Sequence, residues 1–122
     1  MHTVLIAEDE PSLRLLVRAS LQPSECDVVE AADGDAAWEL LLQHRPAVAI
    51  LDVWMPGRNG LDLTRAIRGS PALAGTHVIL LTGSAQTGDV AAGLAAGANQ
   101  YLAKPFSPSE LRGLVDRALR GA

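Results

Sequence analysis

Residues 48–60 read VAILDVWMPGRNG, and the other elements of the chain can be placed relative to them. The first four are apolar, which is typical of a short strand that is buried on both faces. Asp52 follows directly, and the turn-forming residues after it neither extend the strand nor begin a helix at once. The stretch therefore predicts a carboxylate at the end of a buried strand, beside an irregular loop.

The length and composition indicate one domain, which we assign to residues 1–122. A chain of this size buries about two-thirds of its unfolded surface. A hydrophobic share of 48% with only 3% aromatic residues predicts an aliphatic core. The net charge of -4 argues against direct nucleic acid binding by this domain, because phosphate contacts need clustered Lys and Arg. Cations are the expected ligands.

The cysteine and hydropathy patterns bear on location. Cys26 is the single cysteine, so neither an intramolecular disulfide nor a cysteine-built metal site is expected. No apolar run approaches the roughly 18 residues of a membrane span, and residues 1–3 show no signal-peptide pattern. We therefore expect a cytoplasmic domain that has no membrane partner.

Short apolar runs alternate with amphipathic segments along the whole chain. We predict strands at 4–7, 27–30, 48–52, 78–81 and 101–103. Each is followed by a helix, and the first of these helices begins at Pro11 and packs through Leu13, Leu16, Val17 and Leu21. The third and fourth helices are predicted at 60–68 and 87–96, and the fifth follows a Ser107 cap. Five such units predict an α/β fold with a parallel sheet between two layers of helices.

The polar residues of interest follow the predicted strands. Glu8 and Asp9 end the first strand, Asp52 the third, Thr82 the fourth and Lys104 the fifth. In a parallel α/β sheet, ligands bind at the carboxyl ends of the strands. We therefore expect these five side chains to meet at one edge of the sheet.

Three carboxylates at one edge would raise one another's pKa unless a cation compensates them. Oxygen ligands without His or Cys favour Mg²⁺, and the three histidines of the chain are scattered in sequence. Thr82 and Lys104 would supply a hydroxyl and a positive charge to hold phosphoryl oxygens while Asp52 attacks phosphorus. The pattern predicts an aspartyl-phosphate site.

Four ordered segments carry a resemblance to a known family. LIAEDEP, LDVWMPGRNG, LLTGSA and YLAKPF resemble the CheY-like receiver domain of two-component response regulators, over the whole chain. The resemblance implies a (βα)5 flavodoxin-like three-layer sandwich with strand order 2-1-3-4-5. It implies Asp52 as the phosphoacceptor, with Thr82 and Lys104 binding the phosphoryl group. The implied Mg²⁺ ligands are Asp9, Asp52, the Trp54 carbonyl and, through water, Glu8.

Further roles follow from the same resemblance. The backbone amides of Trp54 and Gly83 are implied as phosphoryl donors, and Tyr101 resembles the aromatic switch residue whose rotamer follows Thr82. Trp54 and Ser84 occupy the positions that tune dephosphorylation, and we expect bulky Trp54 to shield the acyl phosphate. The Lys104–Pro105 peptide is implied to be cis.

The resemblance also implies partners. A sensor histidine kinase or phosphotransfer protein would supply the phosphoryl group in a Mg²⁺-dependent reaction. The face formed by the fourth helix, fifth strand and fifth helix would signal to a downstream target or fused output domain. The domain would be no enzyme, but a phosphoacceptor that assists its own phosphotransfer and slow autodephosphorylation. The alternative is a phosphorylation-independent protein-interaction adaptor with the same fold.

Two enzyme-like alternatives fit less well. A haloacid-dehalogenase-like phosphatase needs a second acid two residues after its nucleophile, where this chain has Trp54. A flavodoxin-like nucleotide binder needs a phosphate-accepting first loop, which residues 8–10 would repel with their acids.

Two local features have consequences for regulation. Asn99 and Gln100 are neutral where many transcription-factor receivers carry acids that pair across a dimer, so we expect that dimer to be disfavoured. The fourth helix contains Gly88 and Gly93, and each interior Gly costs about 1 kcal/mol relative to Ala. Either this helix is weakly stable and repacks during switching, or its small residues allow close packing.

Overall fold

The computed structural model describes residues 2–83 and 87–121, in which strands and helices alternate. The elements are β1 (His2–Ala7), α1 (Pro11–Ser20), β2 (Cys26–Ala31), α2 (Gly34–His44), β3 (Val48–Asp52), α3 (Gly60–Arg68), β4 (His77–Thr82), α4 (Thr87–Ala96), β5 (Gln100–Ala103) and α5 (Pro108–Arg120). All strand pairs are parallel, and their order is β2-β1-β3-β4-β5. The predicted α/β sandwich and its strand order are confirmed.

The sheet separates two apolar layers, because successive side chains of a strand point to opposite faces. The α2/α3 layer contains the helix residues Ala37, Leu41, Leu63 and Ile67, packed with alternate residues of the strands. The α1/α5 layer is formed by the other strand residues with Val17, Leu21, Leu111 and Val115. β3 lies at the centre and is buried along its whole length. The strand that ends at Asp52 is therefore held from both sides.

The apolar face of α1 differs in one respect from the prediction. Val17 and Leu21 are buried as expected, but Leu16 is 42% exposed, so its predicted packing on the sheet is wrong. Ser20 is buried instead, and its hydroxyl donates to the Leu16 carbonyl at 2.8 Å. This bond within the helix satisfies the hydroxyl, so a polar residue can occupy the buried face.

The helix starts agree with the capping signals in the sequence. Asp33 and Asn59 begin α2 and α3, and each accepts a hydrogen bond from a backbone N–H of the first turn. Ser107 and Glu110 form a reciprocal capping box at the start of α5. In residues 2–83 and 87–121 there is no helix with the length and apolarity needed to cross a bilayer.

Candidate functional site

Asp52 is the last residue of the central strand β3 and is 4% exposed. Just after it, the Val53 N–H donates to the Leu81 carbonyl at 3.0 Å, so the sheet pairing continues past the carboxylate. The chain returns at Gly60, whose N–H donates to the Val53 carbonyl at 3.1 Å. A Cβ at Gly60 would lie 2.4 Å from the Asp52 carbonyl oxygen, so only glycine permits this approach. The backbone of Asp52 is thereby fixed.

The loop after Asp52 also rests on the first turn of α2. The Gly34 N–H donates to the Pro56 carbonyl at 2.9 Å. A Cβ at Gly34 would lie 1.8 Å from the Arg58 carbonyl oxygen, a separation that no side chain could tolerate. The Asp33-Gly34 pair therefore begins α2 and supports the phosphoacceptor loop at the same time.

Three carboxylates meet beside this loop. One oxygen each from Glu8, Asp9 and Asp52 lies within 4.8 Å of the others. Glu8 is 1% exposed and accepts a hydrogen bond from the Glu10 N–H at 3.1 Å, whereas Asp9 is exposed. An all-carboxylate group of this kind, open on one side, suits a hard divalent cation that keeps part of its water, such as Mg²⁺.

Lys104 bridges two of these acids. Its Nζ lies 3.1 Å from Asp52 Oδ1 and 3.3 Å from Glu8 Oε2. Burial opposes its charge, but the hydrogen bonds and charges of Asp52 and Glu8 prevail and raise the pKa of Lys104. Its backbone N–H donates to the Thr82 carbonyl at 2.7 Å, and the Lys104–Pro105 peptide is cis as expected. A permanent cation thus lies against the Asp52 carboxylate.

Glu8 has the most perturbed carboxyl group of this cluster. Burial raises its pKa, the charge of Asp52 adds to this effect, and the Glu10 N–H and Lys104 oppose it. The resulting pKa is about 7, so Glu8 exchanges a proton near neutral pH. The expectation that crowding would raise a carboxyl pKa is confirmed for this residue.

The remaining predicted residues occupy the same edge or lie outside the described part. Thr82 ends β4 beside Asp52 and is buried, and Gly83 follows it at the surface. Trp54 is 69% exposed and Tyr101 in β5 is 38% exposed. Ser84 lies outside the described residues. The roles of these residues in phosphoryl binding, switching and dephosphorylation stay predictions.

Arg14 was not predicted to belong to this region. Its Nη1 donates to the Glu8 carbonyl at 2.9 Å, directly beneath the acidic loop. The sequence offered no sign of this contact, because Arg18 repeats the same residue type one helical turn later.

Comparisons with known proteins agree with this geometry. The family model described as the response regulator receiver domain matches residues 4–116. The DNA-binding response regulator MtrA of Mycolicibacterium smegmatis is 35% identical over 117 residues, which cover 96% of this chain and 50% of MtrA. The chain thus spans about half the length of such curated relatives.

Solved structures resemble the chain over nearly its whole length. The chemotaxis response regulator CheY4 of Vibrio cholerae is 33% identical with a TM-score of 0.89, covering 97% of this chain and 98% of CheY4. The receiver domain of the sensor histidine kinase PA1611 from Pseudomonas aeruginosa is 32% identical with a TM-score of 0.89, covering 99% and 98%. In that structure a magnesium ion is coordinated in the active site cleft.

Proposed function

The chain belongs to the response regulator receiver family, and from this premise we propose that Asp52 accepts a phosphoryl group from a phosphohistidine. The observation that carries the proposal is the Asp52 carboxylate, which is held at the end of β3 with Lys104 Nζ at 3.1 Å and two further acids nearby. The donor would be a sensor histidine kinase or a phosphotransfer protein.

In the proposed reaction an Asp52 carboxylate oxygen attacks phosphorus in line with the histidine nitrogen. The P–O bond forms as the P–N bond breaks, and the imidazole leaves. Lys104 is placed to offset the charge of the phosphoryl oxygens, and Thr82 and the amides of Trp54 and Gly83 would donate hydrogen bonds to them. The chain thus assists its own phosphorylation and acts on no other substrate.

We assign Mg²⁺ to the acidic cluster as the cofactor. Asp9, Asp52 and the Trp54 carbonyl would hold the ion directly, and Glu8 would hold it through water. Bound there, Mg²⁺ would neutralise charge on the acids and on the phosphoryl oxygens. The support is the spacing of the three carboxylates and the magnesium-bound receiver domain of PA1611.

Signalling would follow from a shift in population between two states. Phosphorylation would draw Thr82 toward the phosphoryl oxygens and favour an inward rotamer of Tyr101. The face of α4, β5 and α5 would then be read by a downstream target or a fused output domain. The exposure of Tyr101 and the greater length of the DNA-binding relatives support this assignment.

The test is labelling of Asp52 by a small acyl phosphate or a phosphorylated kinase in the presence of Mg²⁺. We expect the wild type to gain one alkali-labile phosphoryl group by intact mass, and Asp52→Asn to gain none. Asp62→Asn, a change at an exposed position of α3, is the matched control and should label normally. Equal labelling of Asp52→Asn at the same site would refute the assignment.

The adaptor alternative is separated by a binding measurement. A partner protein that binds the unlabelled, labelled and Asp52→Asn forms with equal affinity would favour an adaptor. A partner that discriminates between the labelled and unlabelled forms would favour the phosphorylation switch.

A further inference from the structure

Arg14 lies one turn into α1 and connects the acidic loop with strand β2. Its Nη1 donates to the Glu8 carbonyl at 2.9 Å, and its Nε lies 3.4 Å from Glu30 Oε1. The side chain is only 23% exposed. One guanidinium thus spans from the backbone of a predicted metal ligand to a carboxylate of the edge strand.

Glu30 is itself held in place on its other side. Its second carboxylate oxygen is paired with Arg18, and the residue lies in β2 next to Ala31. The Ala31 carbonyl accepts a hydrogen bond from the Glu8 N–H at 3.1 Å. Both backbone polar groups of Glu8 are therefore tied to β2, the N–H directly and the carbonyl through Arg14.

The Glu8 carbonyl belongs to the peptide that leads into Asp9. Fixing this oxygen sets the plane of the Glu8–Asp9 peptide and limits where the Asp9 carboxylate can lie. Asp9 is exposed, so the side chain receives little restraint from packing. The orientation of this ligand therefore depends on the backbone before it.

We propose that Arg14 is a positioning residue for the metal site, which holds the Glu8–Asp9 peptide in the geometry that Mg²⁺ requires. This inference rests on the proposed function. Partners that orient metal ligands from behind typically change metal affinity by about 10–100-fold when they are removed. A guanidinium can donate to two acceptors at fixed angles, whereas the compact ammonium of a lysine cannot reproduce that fork.

Arg18 provides a matched control from the same helix. Arg14 and Arg18 both pair with Glu30, but among the contacts of the described residues only Arg14 donates to the Glu8 carbonyl. Replacing either arginine removes an ion pair to the same carboxylate. Only the Arg14 replacement also releases the acidic loop, so the difference between the two variants isolates the positioning effect.

The experiment measures the Kd for Mg²⁺ of the wild type, Arg14→Gln, Arg14→Lys and Arg18→Gln. Trp54, exposed beside the site, reports binding by fluorescence quenching, and Trp38→Phe in every variant removes the other indole. Direct Mn²⁺ binding by electron paramagnetic resonance is the second readout. We expect Arg14→Gln to raise the Kd about tenfold, Arg14→Lys to raise it less, and Arg18→Gln to leave it within about twofold.

The outcomes separate this inference from the proposed function. Absence of saturable Mg²⁺ and Mn²⁺ binding by the wild type would overturn the assigned site. Binding by the wild type with equal Kd values for Arg14→Gln and Arg18→Gln would overturn the positioning role alone. If Arg14→Gln fails to fold by circular dichroism, Glu30→Gln decides: a Kd raised about threefold or more supports the role, and an unchanged Kd refutes it.

Discussion

Glu8 is the side chain in which burial and charge act against each other most directly. It is almost completely buried, shares Lys104 with Asp52, and has a pKa raised to about 7. In the unfolded chain the same carboxyl group has the ordinary pKa of a glutamate. The folded protein therefore retains a proton that the unfolded chain has already released at mildly acidic pH.

We predict that the metal-free protein loses stability as pH rises from about 5 to about 7, because the folded state binds more protons in that window. Glu8→Gln should weaken this dependence and leave the variant more stable than the wild type near neutral pH. Urea unfolding in EDTA at both pH values measures the effect. Glu39→Gln, at an exposed position of α2, should retain the wild-type slope. Parallel slopes for the wild type and Glu8→Gln would contradict the prediction.

Most residues of the site could be predicted from the sequence because topology alone brings them together. Asp52, Thr82 and Lys104 each follow an apolar run, and parallel strands place such positions at one edge. Arg14 could not be predicted, since its contact depends on the distance between α1 and the preceding loop. The partners of Glu30 likewise depend on how α1 packs beside β2.

Among the elements, α2 and the loop after β3 depend on each other through Gly34. We predict that Gly34→Ala lowers the free energy of unfolding by about 1–3 kcal/mol or more, because the added Cβ meets the Arg58 backbone. Gly113→Ala, within α5 and with open space around the new Cβ, should instead stabilise by up to about 1 kcal/mol. Urea denaturation of both variants measures the contrast. Equal effects would show that the close approach at Gly34 is not limiting.

α3 and the end of α4 are joined by Arg68. Its guanidinium donates to the carbonyls of Gly97, Ala74 and Thr76 and to the side-chain oxygen of Asn99. That Asn99 oxygen also accepts from the Val78 N–H at 2.7 Å, and Gln100 is hydrogen-bonded to His77. Asn99 and Gln100 thus have partners within the chain, and the expectation of a disfavoured dimer stays a prediction.

We predict that Arg68→Ala destabilises the protein by about 2–4 kcal/mol, because several carbonyls lose a charged donor. Arg65→Ala on the same helix removes only an exposed ion pair with Asp62 and should cost at most about 1 kcal/mol. Chemical denaturation gives both values. A loss at Arg68 no larger than that at Arg65 would show that the carbonyls are satisfied by water instead.

The bounds of α3 and α4 agree with the sequence prediction, whereas β1, β2, β4 and β5 are longer than predicted. β1 and β2 lengthen because their ends pair with each other, as His2 does with Cys26, and apolar runs do not reveal such pairing. Gly93 of α4 is buried, and a Cβ there would lie 3.0 Å from Leu80 Cδ1. This contact supports close packing at Gly93, and repacking of α4 during switching stays a prediction.

For the molecule as a whole, cation binding should appear as stability. A ligand that binds only the folded state at about ten times its Kd adds about 1.4 kcal/mol, which raises the Tm by about 5 °C for a domain of this size. We predict such a shift with MgCl₂ relative to NaCl at equal ionic strength, measured by calorimetry. Asp9→Asn should reduce it, and Asp27→Asn, exposed in β2, should not. An equal shift in the Asp9 variant would remove Asp9 from the ligand set.

The division of the core by the sheet has a consequence for how such a domain diversifies. The α1/α5 layer and the α2/α3 layer share strand backbone but use alternate side chains, so a volume change in one layer can be compensated within that layer. Helices on opposite sides of the sheet can therefore acquire new surfaces independently. One side can adapt to a new donor while the other continues to serve an existing recipient.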